Sequence, residues 1–516
     1  MWNSLVVSTL KISQKVPQIK VKPTQLQYWQ LLRLLSAAMY TDFGKRYKFK
    51  RIIQQGIYHP ERLFEQFASQ VPIHTYETIH SEWWKRQQEG ESSVTWPGKI
   101  FYYAMSSGTS DASSKYLPLS KSMLSSNKKA GVSVIKSLVH FPISKKCLGK
   151  DILILSGSTT LSEQSDYAAG DLSGIQSSMM PLWFQPWVKP GMDIRALNDW
   201  NDKMELIVQQ APSWDIGFIV GVPSWFQLLF QKIIERYNLT TIHDIWPNLE
   251  VFVHGGVSMD TYRNSFDKQF SKPVQYIETY LASEGFIALQ RTPQDKGMRL
   301  LLNQGIYYEF VPFTSEYFNA DGEIICTQGI KNITQVELGI EYALLLTTNS
   351  GAWRYIIGDT IEFINLRTNE IRITGRVKHF ISLCGEHTGI DNFNQTIDFL
   401  YHNFGLSVQE FTVVGRVEGK RMWHHWYLGL DENSTARTTL QELASNMDTY
   451  MCSINDDYRT ERSSNVLLPL DVTVLPKETF YQWMEQEGKL GGQHKFPRVL
   501  KGKSLQSWNT FLQSSK

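Results

Sequence analysis

The chain is poor in cysteine. Cys147, Cys326, Cys384 and Cys452 stand far apart in 516 residues and form no Cys-x-x-Cys pair. That argues against a disulfide framework and against a zinc site, and reduced thiols in a cytoplasmic protein are the simple expectation. There is no run of about eighteen apolar residues, so no transmembrane helix is expected. The apolar patch in the opening MWNSLVVSTLKISQKV is too short and too interrupted for a secretory signal. A charge bias is also missing. Lysine plus arginine total 52 against 50 acidic residues, which gives no electrostatic ground for a nucleic-acid or membrane partner. Several catalytic signatures are absent: no Gly-x-Ser-x-Gly elbow, no His-Glu-x-x-His, and no Walker A spacing. No internal repeat or low-complexity segment is visible. His424 and His425 invite a metal reading, but neighbours on a strand point to opposite faces.

What is present is a sizeable apolar content, 42%, with 16 Trp, 23 Tyr and 26 Phe. Most of these rings belong in cores, and some suit a pocket for an apolar acid. The most informative stretch is SSGTSDASSK, residues 106–115, directly after the apolar run 100–105. A strand that opens into hydroxyls, a glycine and a lysine presents N–H groups, side-chain hydroxyls and one cation to a single point. Phosphate oxygens suit that arrangement. A Ser-rich surface turn is the alternative.

Two further segments favour the phosphate reading. In YLASEG (280–285), Glu284 could hold Mg²⁺ against a triphosphate, and Tyr280 could offer its ring face to a base. In WRYIIGDTIE (353–362), Asp359 could accept two hydrogen bonds from ribose hydroxyls. Taken singly, each residue also has an ordinary reading: core aromatic, helix-terminal charge, turn former. All three segments in this order make coincidence improbable.

Length predicts more than one domain. Apolar residues at helical spacing predict an amphipathic helix over about 23–41, opening at Pro23-Thr24. Short β-rich runs at 101–105, 152–155, 218–220, 251–253 and 276–277 alternate with helices such as 225–237. This predicts an α/β fold with largely parallel sheets. From 323 to 374 strand-like runs, among them Ile324-Ile325-Cys326, succeed one another and predict an antiparallel, β-barrel-like subregion. A small α/β unit follows: helix 391–404, strands 410–416 and 423–430, helix 438–451 and strand 470–475. The expected division is a large N-terminal domain, 1–382, and a small mobile C-terminal domain, 383–516, with a hinge at Leu383-Cys384-Gly385-Glu386.

These motifs resemble the adenylate-forming superfamily of acyl-CoA synthetases, peptide-synthetase adenylation domains and luciferase. The similarity is closest to the acyl-acid amido synthetases known from plants as the auxin-responsive Gretchen Hagen family, and the chain looks like a bacterial member. VPIHTYE (71–77), WPNLEVFVHGGVS (246–258), YYEFVP (307–312), GRVKHFISLCGE (375–386), NDDYRTER (455–462) and GGQHKFPR (491–498) extend the resemblance over nearly the whole chain. One departure is Ala112, where the family loop usually has a second glycine.

The resemblance implies an ATP- and Mg²⁺-dependent ligase. It would adenylate a small carboxylic acid and transfer the acyl group to an amino acid, as a cytoplasmic monomer or weak homodimer. Ser106, Ser107, Gly108, Thr109, Ser110 and Lys115 would cradle the phosphates. Gly255 and Gly256 would flank the adenine opposite Tyr280. Ser283 and Glu284 would adjoin the nucleotide, with Glu284 on the metal. Asp359 would hold the ribose, Arg376 would reach ribose or phosphate, and Lys495 would come from the C-terminal domain to the α-phosphate or acyl oxygen. Trp225 and His254 are placed at the acyl pocket. The alternative readings are a solvated surface lysine for Lys495, a core histidine for His254, and, for the whole chain, an acyl-CoA synthetase or a non-catalytic nucleotide-binding relative.

Overall fold

Parallel strands need crossover connections, and the apolar runs separated by helices supply them. The computed structural model describes residues 21–106, 115–256, 259–319, 322–377, 381, 383–384, 386, 388–419, 421–430, 439–490 and 495–514. Five strands form the parallel half of an eleven-stranded sheet, in spatial order Val188–Lys189, Asp151–Ile154, Ile216–Gly221, Val251–Gly255 and Gln275–Ala282. The helix Pro223–Tyr237 connects two of them. Proline at its first turn starts it, and Asn238 ends it in the left-handed conformation. Trp225, Phe226, Leu229, Phe230 and Ile233 form its buried face, the spacing of a helix packed on one side.

The sheet then continues antiparallel. Gly285–Leu289 returns from Gln275–Ala282, followed in space by Met298–Leu300, Glu370–Arg376, Tyr355–Asn365, Glu341–Thr348 and Ile306–Pro312. The antiparallel texture expected for this region is thus present, hydrogen-bonded edge to edge onto the parallel strands. One strand within it needs correction. Residues 324–326 form no strand; Ile324 makes an isolated bridge to Phe318, and Ile325 is 60% exposed. The β-branched run lacks a neighbouring strand to complete a ladder.

A four-stranded sheet of Tyr102–Ser106, Lys115–Leu119, Ala168–Gly170 and Ser162–Glu163 lies under the first helices, of which Pro23–Ala38 buries Leu31, Leu34, Leu35 and Ala38. The C-terminal sheet has three strands, Val408–Glu418, Arg421–Leu430 and Asp471–Pro476, covered by Ile390–Phe404, Leu440–Ile454 and Lys477–Gln486. One apolar cluster crosses between the two parts. Phe226, Phe252, Tyr262 and Phe266 share it with Tyr427, Phe480, Trp483, Phe496 and Trp508. No helix among the described residues is long and apolar enough to cross a membrane.

Candidate active site

The first segment of the site is the antiparallel pair Tyr102–Ser106 and Lys115–Leu119, whose last ladder pair is Ser106 with Lys115. Ser107, Gly108, Thr109, Ser110 and Ala112 lie outside the described residues, as does Gly385. Lys115 Nζ stands 5.3 Å from the ring centre of Tyr76, and the Tyr76 hydroxyl accepts the N–H of Tyr116 at 2.9 Å. The VPIHTYE segment therefore holds the start of this strand.

Ser283 and Glu284 form the turn between Gln275–Ala282 and Gly285–Leu289. Burial pushes the Glu284 carboxyl up to about 7. Asp359 adds to the rise, and Lys115 and Arg376 oppose it. Asp359 is 8% exposed and has both oxygens engaged: Oδ2 accepts from the Tyr280 hydroxyl at 2.5 Å, and Oδ1 from Arg376 Nε at 2.9 Å. Asp359 and Arg376 are cross-strand partners on Tyr355–Asn365 and Glu370–Arg376, so sheet register brings them together. Asp359 holds the Arg376 guanidinium firmly charged.

Tyr280, expected beside the adenine, is 5% exposed and packs in the core of the antiparallel half with Ile287 and Tyr308, and its hydroxyl donates to Asp359.

Lys495 reaches the site from the far end of the chain. Its ammonium donates to the carbonyl of Gly256, just beyond the strand Val251–Gly255. Gly256 has φ +86°, and a Cβ there would collide with the Lys495 side chain. Desolvation lowers the Lys495 ammonium to about 7, Arg376 reinforces the drop, and Asp359 opposes it. Arg498 anchors the same segment. It pairs with Glu410 at 2.6 Å, donates to the Tyr262 hydroxyl at 3.3 Å and lies over the Phe411 ring.

The sequence matches the GH3 family N-terminal domain over residues 13–208 and 161–274, the GH3 family central domain over 299–376, and the GH3 family C-terminal domain over 391–504. This chain belongs to the GH3 family. A curated relative, indole-3-acetic acid-amido synthetase GH3.4 of Arabidopsis thaliana, is 24% identical over 302 residues, 55% of this chain and 48% of that protein. The chain thus spans about half the length of the curated relatives it matches. The solved GH3.15 acyl acid amido synthetase superposes with TM-score 0.75 at 18% identity, covering 94% of this chain and 93% of that one. A 2-hydroxyisobutyryl-CoA ligase in complex with R3-HIB-AMP superposes with TM-score 0.58 at 12% identity, over 95% and 91%. This GH3 chain shares their fold.

Within the GH3 chain, Lys115, Glu284, Asp359, Arg376 and Lys495 share one electrostatic neighbourhood, although 380 residues separate the first from the last. Gly255 and Gly256 border it. Trp225 and His254 lie deeper. Trp225 is 2% exposed and meets Trp200 edge to face at 5.0 Å. His254 is 3% exposed, and burial together with Arg263 pushes its pKa down to about 3, so it is neutral. Its Nδ1 has no hydrogen-bond partner among the described residues.

Two structural residues were missed. Arg354 of the WRYIIGD segment is buried, pairs with Glu309 of YYEFVP at 2.9 Å, and donates to the carbonyls of Ala68 and Val71 at 2.8 Å. Glu386 is fully buried and accepts from the N–H groups of Leu383 and Cys384 and from His424. Burial works to raise its pKa, and those bonds outweigh it, holding the carboxyl down at about 2. For Arg354 the available signal was a charge between two aromatic residues, Trp353 and Tyr355; Glu386, between Gly385 and His387, carried no such signal. His424 and His425 do take opposite faces, one toward Glu386, the other toward Thr473 and Asp471.

Proposed function

We propose that this GH3 protein adenylates a small carboxylic acid with ATP and transfers the acyl group to the amine of an amino acid. The observation that carries the reading is the Asp359–Arg376 pair at 2.9 Å with Lys495 seated on the Gly256 carbonyl, the pair acting electrostatically on both Lys495 and Glu284, and Lys115 acting on Glu284. An acid and an amine do not condense at neutral pH, because oxide is a poor leaving group. Forming an acyl-adenylate converts it into a nucleotide leaving group. The protein must then offset phosphate charge and exclude water.

Asp359 Oδ1 and Oδ2 each retain acceptor capacity for ribose hydroxyls after serving Arg376 and Tyr280. Lys495, Arg376 and Lys115 supply positive charge for the phosphates. Lys495, seated at Gly256, would serve the α-phosphate or acyl oxygen. Glu284 suits a divalent cation. Its ionised form is disfavoured by burial and by Asp359, and a bound cation would relieve both. No cluster of three or more metal-ligating side chains exists among the described residues. Mg²⁺ held by one carboxylate and phosphate oxygens fits that donor set and would add charge stabilisation there.

The proposed division at 382/383 gains support from Glu386, which ties the 383–386 turn to His424 of the C-terminal sheet. That turn would travel with the C-terminal body. The test is acid-dependent exchange of labelled pyrophosphate into ATP with amino acid absent, then mass spectrometry of products with amino acids and with CoA. Exchange followed by amide is expected; no exchange across a broad acid panel overturns the reading.

A further inference from the structure

Beside the helix Pro223–Tyr237 the structure buries two cations whose carboxylate neighbours, Asp193 for Arg195 and Asp171 for Lys203, act on them without forming an ion pair. Arg195 is 2% exposed and Lys203 is 3% exposed. Neither forms an ion pair with a carboxylate among the described residues. Arg195 donates to Ser177 Oγ at 3.0 Å and to Gln185, and its Nε has no acceptor. Lys203 Nζ has only the carbonyls of Ser156 and Arg195, both at 3.4 Å. Burial lowers its ammonium to about 8. Asp171, the carboxylate that opposes this shift, spends Oδ1 on the N–H and hydroxyl of Ser173. Buried cations are costly unless paired.

The neighbouring groups have the same deficit. Ser156 Oγ, Trp200 Nε1 and Trp225 Nε1 are buried donors with no acceptor among the described residues. Trp200 and Lys203 are one turn apart on the helix Trp200–Gln210, and Trp200 touches Trp225. Buried donors are nearly always satisfied. Here the unsatisfied groups are donors and cations together, so the group that completes them is an acceptor carrying negative charge.

Strand register fixes where this lies relative to Lys495. Ile154 pairs with Val220 and Val220 with Val253, which sets Ser156 level with Gly255, two strands away. Two inter-strand spacings are about 10 Å. Both positions are at the carboxyl ends of parallel strands, where α/β sheets bind ligands.

We infer that Ser156, Trp200 and Lys203 form a subsite for a second carboxylate on the acid substrate, remote from the carboxyl that reacts near Lys495. The inference rests on the adenylation reading for the position of the reacting carboxyl. It selects elongated dicarboxylates over the matching monocarboxylates.

The experiment compares suberate with octanoate, and azelate with nonanoate, in pyrophosphate exchange, with calorimetric titration of suberate into the full chain. Wild type should favour each diacid by at least about tenfold, because a site built for a polar group rejects the analogue that lacks it. Lys203→Met should lower the diacid-to-monoacid ratio by at least about tenfold while keeping or raising the melting temperature, since it removes a buried charge. If that variant does not fold, Ser156→Ala serves, with a smaller shift in the same direction. An unchanged ratio, or a wild-type preference for monoacids, overturns the subsite even where exchange occurs. Calorimetric binding of inorganic phosphate that is as tight as that of suberate and is lost in Lys203→Met overturns it in favour of a free-anion site. Absence of exchange with every acid, alongside Lys203-dependent suberate binding, sinks the adenylation reading and leaves the subsite standing.

Discussion

Glu284 and Lys495 are opposite charges whose environments bring both to a pKa of about 7. The proposed chemistry needs Glu284 ionised and Lys495 protonated. In the free enzyme kcat/KM for ATP should therefore rise with pH up to about 7 and fall above it, a narrow bell. Lys495→Arg keeps the charge at high pH and should flatten the alkaline limb; an unchanged limb would assign it to another group. Glu284→Gln should cost about 2–4 kcal/mol of the chemical barrier in exchange assays. It also has a stability signature. The native carboxyl titrates at about 7 and the unfolded one near 4.5, so the native state binds more protons between those values. Wild-type stability falls as pH rises through that window, and the glutamine variant should gain on it by up to about 3 kcal/mol. Urea unfolding at both ends of the window measures this.

Elements decide whether those side chains meet. The strand Val251–Gly255 runs into Gly256 at positive φ, and Lys495 occupies the space that a side chain there would take. Gly256→Ala should therefore lower the melting temperature, with about 1–2 kcal/mol of backbone strain, and should slow adenylation by displacing Lys495. An exchange rate equal to wild type would show that Lys495 does not act from its seat at Gly256. The elements themselves were largely legible. The helix expected over 23–41 runs Pro23–Ala38, and the strand expected over 423–430 runs Arg421–Leu430, because apolar spacing and turn residues are local signals. Residues 324–326 misled for the same reason. They carry strand composition, but a strand requires a neighbour, which composition does not report.

At the scale of the molecule, Phe496 and Trp508 are packed into one cluster with Phe252 and Phe266, and Arg498 reaches Tyr262. This arrangement places Lys495 on the Gly256 carbonyl. Serving a second, unlike reaction calls for the C-terminal body to move, and movement would withdraw Lys495. Lys495→Ala should then impair adenylate formation far more than acyl transfer from preformed adenylate. Single-turnover assays separate the two steps. Equal loss in both would mean that Lys495 stays in place throughout.

The order of motifs along the chain was enough, by itself, to point to the family, the α/β class and five members of the site, because each motif is contiguous. Asp359 and Glu284 stood out as single carboxylates in short, recognisable turns. Four things came only from the tertiary structure: the burial of Tyr280's ring behind its hydroxyl, the Arg354–Glu309 pair, the seat of Glu386 under its turn, and the buried Arg195 and Lys203. Each depends on what distant segments place around a charge or a ring. Desolvation and partner geometry are set by those neighbours, and no local pattern carries them.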